Sequence, residues 1–245
     1  MKLLLDLGNS RLKWGVHCDG RWRAQGVLEY EHLERLAPAI LAIGQPDGAV
    51  GANVAGGRRA AEVEMALPAG LEVRWNAPTA RQCGVVNGYV RADQLGADRW
   101  AALIGARHLH RGAALVVMAG TATTVDLLAA DGEFEGGLIL PGLALMRRSL
   151  ASDTSDLPFA EGHHVDRPRR TEDAIVSGCV EAQAGAIERM FARIDQNQRP
   201  VCLMSGGAAD AIAATLALPC RRVENLVLEG LARIAEDRDN ITPLK

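Results

Sequence analysis

The chain has 245 residues, 48% of them hydrophobic, and a formal net charge of −3. That apolar share argues against a disordered chain. The near-neutral charge gives no sign of a nucleic-acid-binding face or a membrane-surface patch. Five cysteines (Cys18, Cys83, Cys179, Cys202 and Cys220) are scattered without a CxxC pair. An odd, scattered set fits the reduced thiols of a cytoplasmic protein better than a disulfide framework or a zinc site. The apolar run Leu3–Leu5 is cut by Asp6, too soon for a signal peptide, and no stretch is long enough to span a bilayer.

In chain order, Leu3–Leu5 reads as a buried strand, Gly8-Asn9-Ser10 as a turn, and Leu12–Val16 as the returning strand. Strands are predicted at Ala49–Val54 and Leu71–Trp75. A helix is predicted over 98–110, where Trp100, Leu103, Ile104 and His108 fall at helical spacing. Ala114–Met118 is a second apolar strand, Gly120-Thr121-Ala122-Thr123 a turn, and Thr124–Leu128 its return. The polar segment 152–170 reads as a mobile surface loop, with His163 and His164 solvated in it. A long helix follows over 171–194, then a strand at Val201–Met204, a turn at Ser205-Gly206-Gly207, and helices over 209–216 and 224–235.

The two hairpins share one design. LLLDLGNSRLKWGV and LVVMAGTATTVDLL each run strand, small-residue turn, strand, and they begin about half a chain apart. This repeat predicts an α/β protein of two similar domains, 1–112 and 113–245, each offering a turn to a ligand between them. A turn with Gly8 and Asn9 exposes backbone N–H groups, Ser10 and Lys13 add a hydroxyl and a charge, and Asp6 at the strand end suits a hydrated Mg²⁺. Gly120, Thr121, Thr123 and Thr124 offer an uncharged counterpart. Neither a P-loop nor a Rossmann fingerprint is present. Gly206-Gly207 lets a flat adenine or ribose approach the backbone, and Gly136–Gly142 has the look of a strand built for close backbone approach.

Gly96-Ala97-Asp98-Arg99 opens the helix over 98–110. Phosphoryl transfer to an alcohol needs a carboxylate that orients the hydroxyl and accepts its proton, and Asp98 is the candidate. Arg99 offers a guanidinium to an anionic group. Tyr89, in Asn87-Gly88-Tyr89, is a candidate substrate wall.

Asp6-Leu7-Gly8-Asn9-Ser10, Gly96-Ala97-Asp98-Arg99, Gly120-Thr121-Ala122-Thr123-Thr124 and Gly136–Gly142 resemble, in order and spacing, the signature motifs of type III pantothenate kinases. The resemblance implies the duplicated actin/Hsp70/sugar-kinase (ASKHA) fold. It implies transfer of the ATP γ-phosphoryl group to pantothenate, the first step towards coenzyme A, with Mg²⁺. It makes Asp98 the base, and it places Asp6, Leu7, Gly8, Asn9, Ser10, Arg11, Leu12 and Lys13 along the ATP phosphates with Thr121 facing them. Tyr89, Gly96, Ala97, Asp98 and Arg99 would hold pantothenate. It further implies a homodimer in which Thr171 reaches a neighbour's pantothenate, and a monovalent cation, K⁺ or NH₄⁺. One position departs from the family pattern: the cation-binding Asp two residues before the turn glycine is here Met118, and a thioether is a poor ligand for a hard cation. The alternative reading is a non-catalytic nucleotide-binding regulator of the same fold, similar to Bvg accessory factors.

Overall fold

The computed structural model describes residues 1–237. They divide into two compact units. The first joins Met1–Leu109, Gly132–Phe134 and the segment from Asn225 onward; the second joins His110–Asp131 and Glu135–Glu224. These units run differently from the consecutive stretches 1–112 and 113–245, because the last helix belongs with the first unit.

In the first unit, β1 (Lys2–Leu7), β2 (Leu12–Cys18) and β3 (Arg21–Leu28) form an antiparallel meander. After it come α1 (Leu36–Leu41), β4 (Ala49–Asn53), α2 (Gly57–Met65) and β5 (Val73–Trp75), and the sheet order is β3-β2-β1-β4-β5. β4 runs parallel to both β1 and β5. The unbroken apolar run Leu3–Leu5 marks β1 as a strand covered on both faces, and those leucines are fully buried. Leu3, Leu5 and Leu7 pack with Leu12, Trp14 and Ile40 in one core. A small hairpin, β6 (Arg81–Gln82) and β7 (Val85–Asn87), turns on Cys83 and Gly84, both at positive φ, as tight two-residue hairpin turns require. β7 also pairs in parallel with Glu133 and Phe134. α3 (Ala97–Leu109) then buries Trp100, Leu103 and Ile104 at the predicted spacing.

In the second unit, β8 (Ala114–Ala119), β9 (Ala122–Leu128) and most of β10 (Glu133–Pro141) lead to α4 (Leu143–Asp153) and the long α5 (Thr171–Phe191). β11 (Val201–Ser205), α6 (Ala209–Ala213) and β12 (Cys220–Arg222) complete it, in sheet order β12-β11-β8-β9-β10. Leu115, Val117 and Val125 of the sheet pack against Ile187, Met190 and Phe191 of α5. The repeat read in the sequence holds at the level of pairing. In each unit an antiparallel hairpin (β1–β2, β8–β9) carries a parallel strand (β4, β11) on the other side of its first strand.

Segment 152–170 finishes α4 at Asp153, and from there it is the surface loop expected, without helix or strand and mostly exposed, tied to α5 at three points. The His163 N–H donates to Asp173 Oδ1 (3.0 Å), the Val165 N–H donates to Ser177 Oγ (3.0 Å), and His164 Nε2 pairs with Glu181 Oε1 (2.7 Å). Two of these ties are backbone N–H groups, and most side chains of the segment, His163 included, stay exposed.

α7 (Leu226–Glu236) is capped by the Asn225 side chain, which accepts from the Leu228 N–H at 3.1 Å. It returns to the first unit and lies against α3 with no side chain between the backbones. A Cβ on Gly105 would strike the Leu226 carbonyl, and one on Gly230 would strike the Ala101 carbonyl. Glycine at both positions is what lets the two helices touch.

Candidate active site

The β1–β2 turn is closed by the Gly8 N–H donating to the Arg11 carbonyl at 3.2 Å, with Leu7 opposite Leu12 as the last ladder pair. One pair further down, Asp6 stands directly across from Lys13. Directly opposed residues of an antiparallel pair project from the same face, and Lys13 Nζ lies 3.6 Å from Asp6 Oδ2. Asn9, Ser10 and Arg11 are exposed at the tip, where Arg11 pairs with Glu29 at 3.1 Å. Leu7 and Leu12 bury their side chains in the core, so what they offer a ligand is backbone.

Asp6 is 6% exposed, and burial lifts its carboxyl to about 6 against the pull of Lys13; the Asp98 charge adds to the rise. The Asp98 carboxyl is likewise raised, chiefly by burial, against the Arg99 N–H and the charges of Arg99 and Lys13. Two motifs far apart in the sequence thus share one electrostatic neighbourhood: two reluctant carboxylates and one ammonium.

Asp98 lies in the first turn of α3, its Oδ1 accepting from the Arg99 N–H at 2.8 Å. A Cβ at Gly96 would come within 2.6 Å of that same Oδ1. The glycine therefore leaves room for the Asp98 carboxylate. Arg99 is buried. Its Nη1 donates to Tyr89 Oη at 2.8 Å, and its guanidinium lies 5.5 Å from the Tyr89 ring centre and 5.7 Å from that of Phe134. Tyr89 packs on Phe134 at 5.2 Å, and its N–H donates to Asn87 Oδ1 at 3.1 Å. Tyr89 and Arg99, singled out separately in the sequence, are one unit of structure.

Tyr30 was not legible as a site residue. Its hydroxyl donates to the Gly8 carbonyl at 2.6 Å, and the Arg59 guanidinium caps its ring at 4.3 Å, itself tied to Glu62 at 2.7 Å. This bond holds the Gly8 carbonyl and so sets the plane of the Gly8–Asn9 peptide, and with it where the Asn9 N–H points. It belongs to no motif; the only hint was that the chain spends just two tyrosines. Tyr30→Phe keeps the ring under Arg59 and removes the bond, which is worth about 1 kcal/mol. The expected result is a rise of about five-fold in KM for the phosphate-bearing substrate with kcat little changed, read by steady-state kinetics. An unchanged KM would mean that the turn holds itself.

In the second unit, Thr121 is exposed at the β8–β9 turn. The Gly142 N–H donates to its carbonyl at 2.9 Å, and a Cβ on Gly142 would strike that turn. A Cβ on Gly137 would strike Asp126. These two glycines of the Gly136–Gly142 strand serve neighbouring protein backbone and side chain. Gly206, at positive φ, sits against the Ala119 backbone, whereas a Cβ on Gly207 would meet open space. Met118 lies opposite Thr124, whose Oγ1 is buried without a hydrogen-bond partner. Thr171, the first residue of α5, is exposed at a cavity of about 430 Å³ lined also by Met146, Leu150, Leu157 and Ile175. Among the described residues no cluster of three or more His, Cys, Asp or Glu side chains is placed to hold a metal, and no helix is long and apolar enough to cross a membrane.

A family model for type III pantothenate kinases matches residues 2–193. A type III pantothenate kinase from Aromatoleum aromaticum is 54% identical over 238 residues, covering 97% of this chain and 98% of that one. Another, from Dechloromonas aromatica, is 48% identical over 239 residues, covering 96% and 99%. Among solved structures, a Baf family protein from Campylobacter jejuni superposes with a TM-score of 0.61 at 19% identity, covering 98% and 100% of the two chains. The structural likeness establishes the actin/Hsp70/sugar-kinase-like fold.

Proposed function

The chain belongs to the type III pantothenate kinase family, and from that premise we propose that Asp98 is the base of its reaction. The protein is a kinase that phosphorylates pantothenate with ATP, the first step towards coenzyme A. The observation that carries the assignment of Asp98 is its place at the start of α3, within the field of Lys13 and Asp6. In this reading Asp98 orients the primary hydroxyl of pantothenate and takes its proton as the oxygen attacks the γ-phosphorus. The turn from Asp6 to Lys13 holds the phosphates by N–H groups and the Lys13 charge, and Thr121 supplies a hydroxyl from the other turn. Tyr89, Gly96, Ala97 and Arg99 form the pantothenate wall, with Arg99 stiffening Tyr89. Gly206-Gly207 admits the adenine face.

One buried carboxylate beside a phosphate turn suits Mg²⁺, which binds through few protein oxygens plus phosphate. Asp6 is the residue that would hold it, and the ion would neutralise phosphate charge. The direct test of the activity is incubation of the protein with ATP, Mg²⁺ and pantothenate, and mass spectrometry for phosphopantothenate. Failure of product to appear under conditions where a related enzyme turns over would overturn the reading.

The assembly is proposed to be a cytoplasmic homodimer in which Thr171, exposed beside its apolar cavity, completes the partner's pantothenate site. Mixing inactive Asp98→Asn subunits with inactive Thr171→Phe subunits is then expected to recover activity, since one hybrid site keeps both residues. Subunit exchange followed by mass spectrometry, with no recovery of turnover, would show that each site is built within one chain.

The monovalent cation is a different matter. Met118 offers a thioether, and its cross-strand neighbour Thr124 only a neutral oxygen. That donor set does not fit a hard cation well, and no step is assigned to one. Rates in sodium, potassium and ammonium at constant ionic strength are expected to differ little for the wild type and to rise with potassium for Met118→Asp. Strong saturable potassium activation of the wild type would overturn this.

A further inference from the structure

We propose that Cys202 and Cys220 form a reversible dithiol–disulfide pair that takes a hydroperoxide as oxidant. The two residues are direct register partners on the adjacent parallel strands β11 and β12. Neighbouring strands lie about 4.8 Å apart, inside the span of about 4.4–6.8 Å between Cα atoms that a disulfide bridges. Both side chains lie on the face that packs against α5 and α6, Cys202 wholly within the core and Cys220 at its edge.

The two sulfurs have different environments, and these divide the chemistry between them. The neighbouring Cys202 thiol, as a hydrogen-bond donor, and the Arg222 charge lower Cys220, against its partial burial. Cys202 is raised, by the same pairing and by burial. Burial pushes Cys83 up to about 12, helped by Asp237, and burial also raises Cys179 against the Arg147 charge. Cys220 is therefore the attacking thiolate, and the short edge strand β12 leaves it half-exposed. Its sulfur attacks the terminal OH oxygen of the hydroperoxide, breaking the O–O bond and displacing alkoxide (hydroxide when the oxidant is hydrogen peroxide), and becomes a sulfenic acid. The Cys202 sulfur then attacks that sulfenic sulfur, losing its proton as water leaves and the S–S bond forms. Two electrons pass from the two thiols to the peroxide.

The test uses the full chain. Wild type is treated with hydrogen peroxide under native conditions, its remaining thiols are alkylated, and the digest is read by mass spectrometry. A linked Cys202–Cys220 peptide pair, lighter by two hydrogens and released by dithiothreitol, is the expected result. A Cys18→Ser/Cys83→Ser/Cys179→Ser variant should form it equally, and Cys220→Ser should not. Should Cys220→Ser fold poorly, native-state alkylation of the wild type decides the same point: Cys220 is expected to react before Cys83 and Cys179. Over-oxidation of Cys220 to sulfinic acid without a bridge, or a bridge that pairs other cysteines, would overturn the proposal.

Discussion

Asp98→Asn is expected to lower kcat by about 10²–10⁴-fold while pantothenate still binds, the usual worth of a general base. Asparagine keeps the size of the side chain and its Oδ1, so the bond from the Arg99 N–H can persist. What it loses is the ability to accept a proton. Burial raises the Asp98 carboxyl above the ordinary carboxylate range, which makes it a stronger base than a surface aspartate. A base works only when ionised, so activity is expected to fall as pH drops through that raised value. In the variant that limb of the profile should be lost. A variant with near-normal kcat and an unchanged pH profile would remove Asp98 from the role.

The largest stability effect is expected at a residue far from the chemistry in sequence. Gly230→Val places a branched side chain where the Ala101 carbonyl already lies, with the Gly105 amide nitrogen 3.0 Å from the new Cβ. Both obstacles are helix backbone, which cannot rotate away as a side chain does. Overpacking of this kind costs about 3 kcal/mol. For a chain of this size that corresponds to a fall in Tm of about 6–12 °C. Thermal unfolding followed by circular dichroism measures it, and an unchanged midpoint would show that α3 and α7 are not held in this contact. Activity should fall as well, since α3 carries Asp98.

The parts legible in the sequence are those with local causes. An apolar run, a glycine turn and a second apolar run dictate a hairpin, and once the turn is placed, Asp6 and Lys13 become direct neighbours. Asp98 was legible because a carboxylate after Gly-Ala opens a helix with apolar residues at helical spacing. The parts that were not legible depend on long-range pairing. Nothing near α7 in the sequence shows that it packs on α3, nor that Glu133 and Phe134 pair with β7. Tyr30 reaches the β1–β2 turn and Arg59 reaches Tyr30 from separate elements, and the facing of Cys202 with Cys220 follows from strand register alone. The polar composition of 152–170 announced an exposed segment, but not its ties to α5, two of which are backbone N–H groups that composition does not show.

The return of α7 to the first unit sets an order on synthesis. A ribosome releases β1 to α3 early, yet the face of α3 that takes Gly230 stays uncovered until α7 emerges, after the whole second unit has been made. The second unit, complete by Glu224, has all of its own segments before that moment. The nascent first unit must therefore wait with a glycine-lined, apolar helix face exposed, and a chain stopped before Asn225 would never cover it. The helix that carries Asp98 is thus secured only after every segment of the second unit has been made.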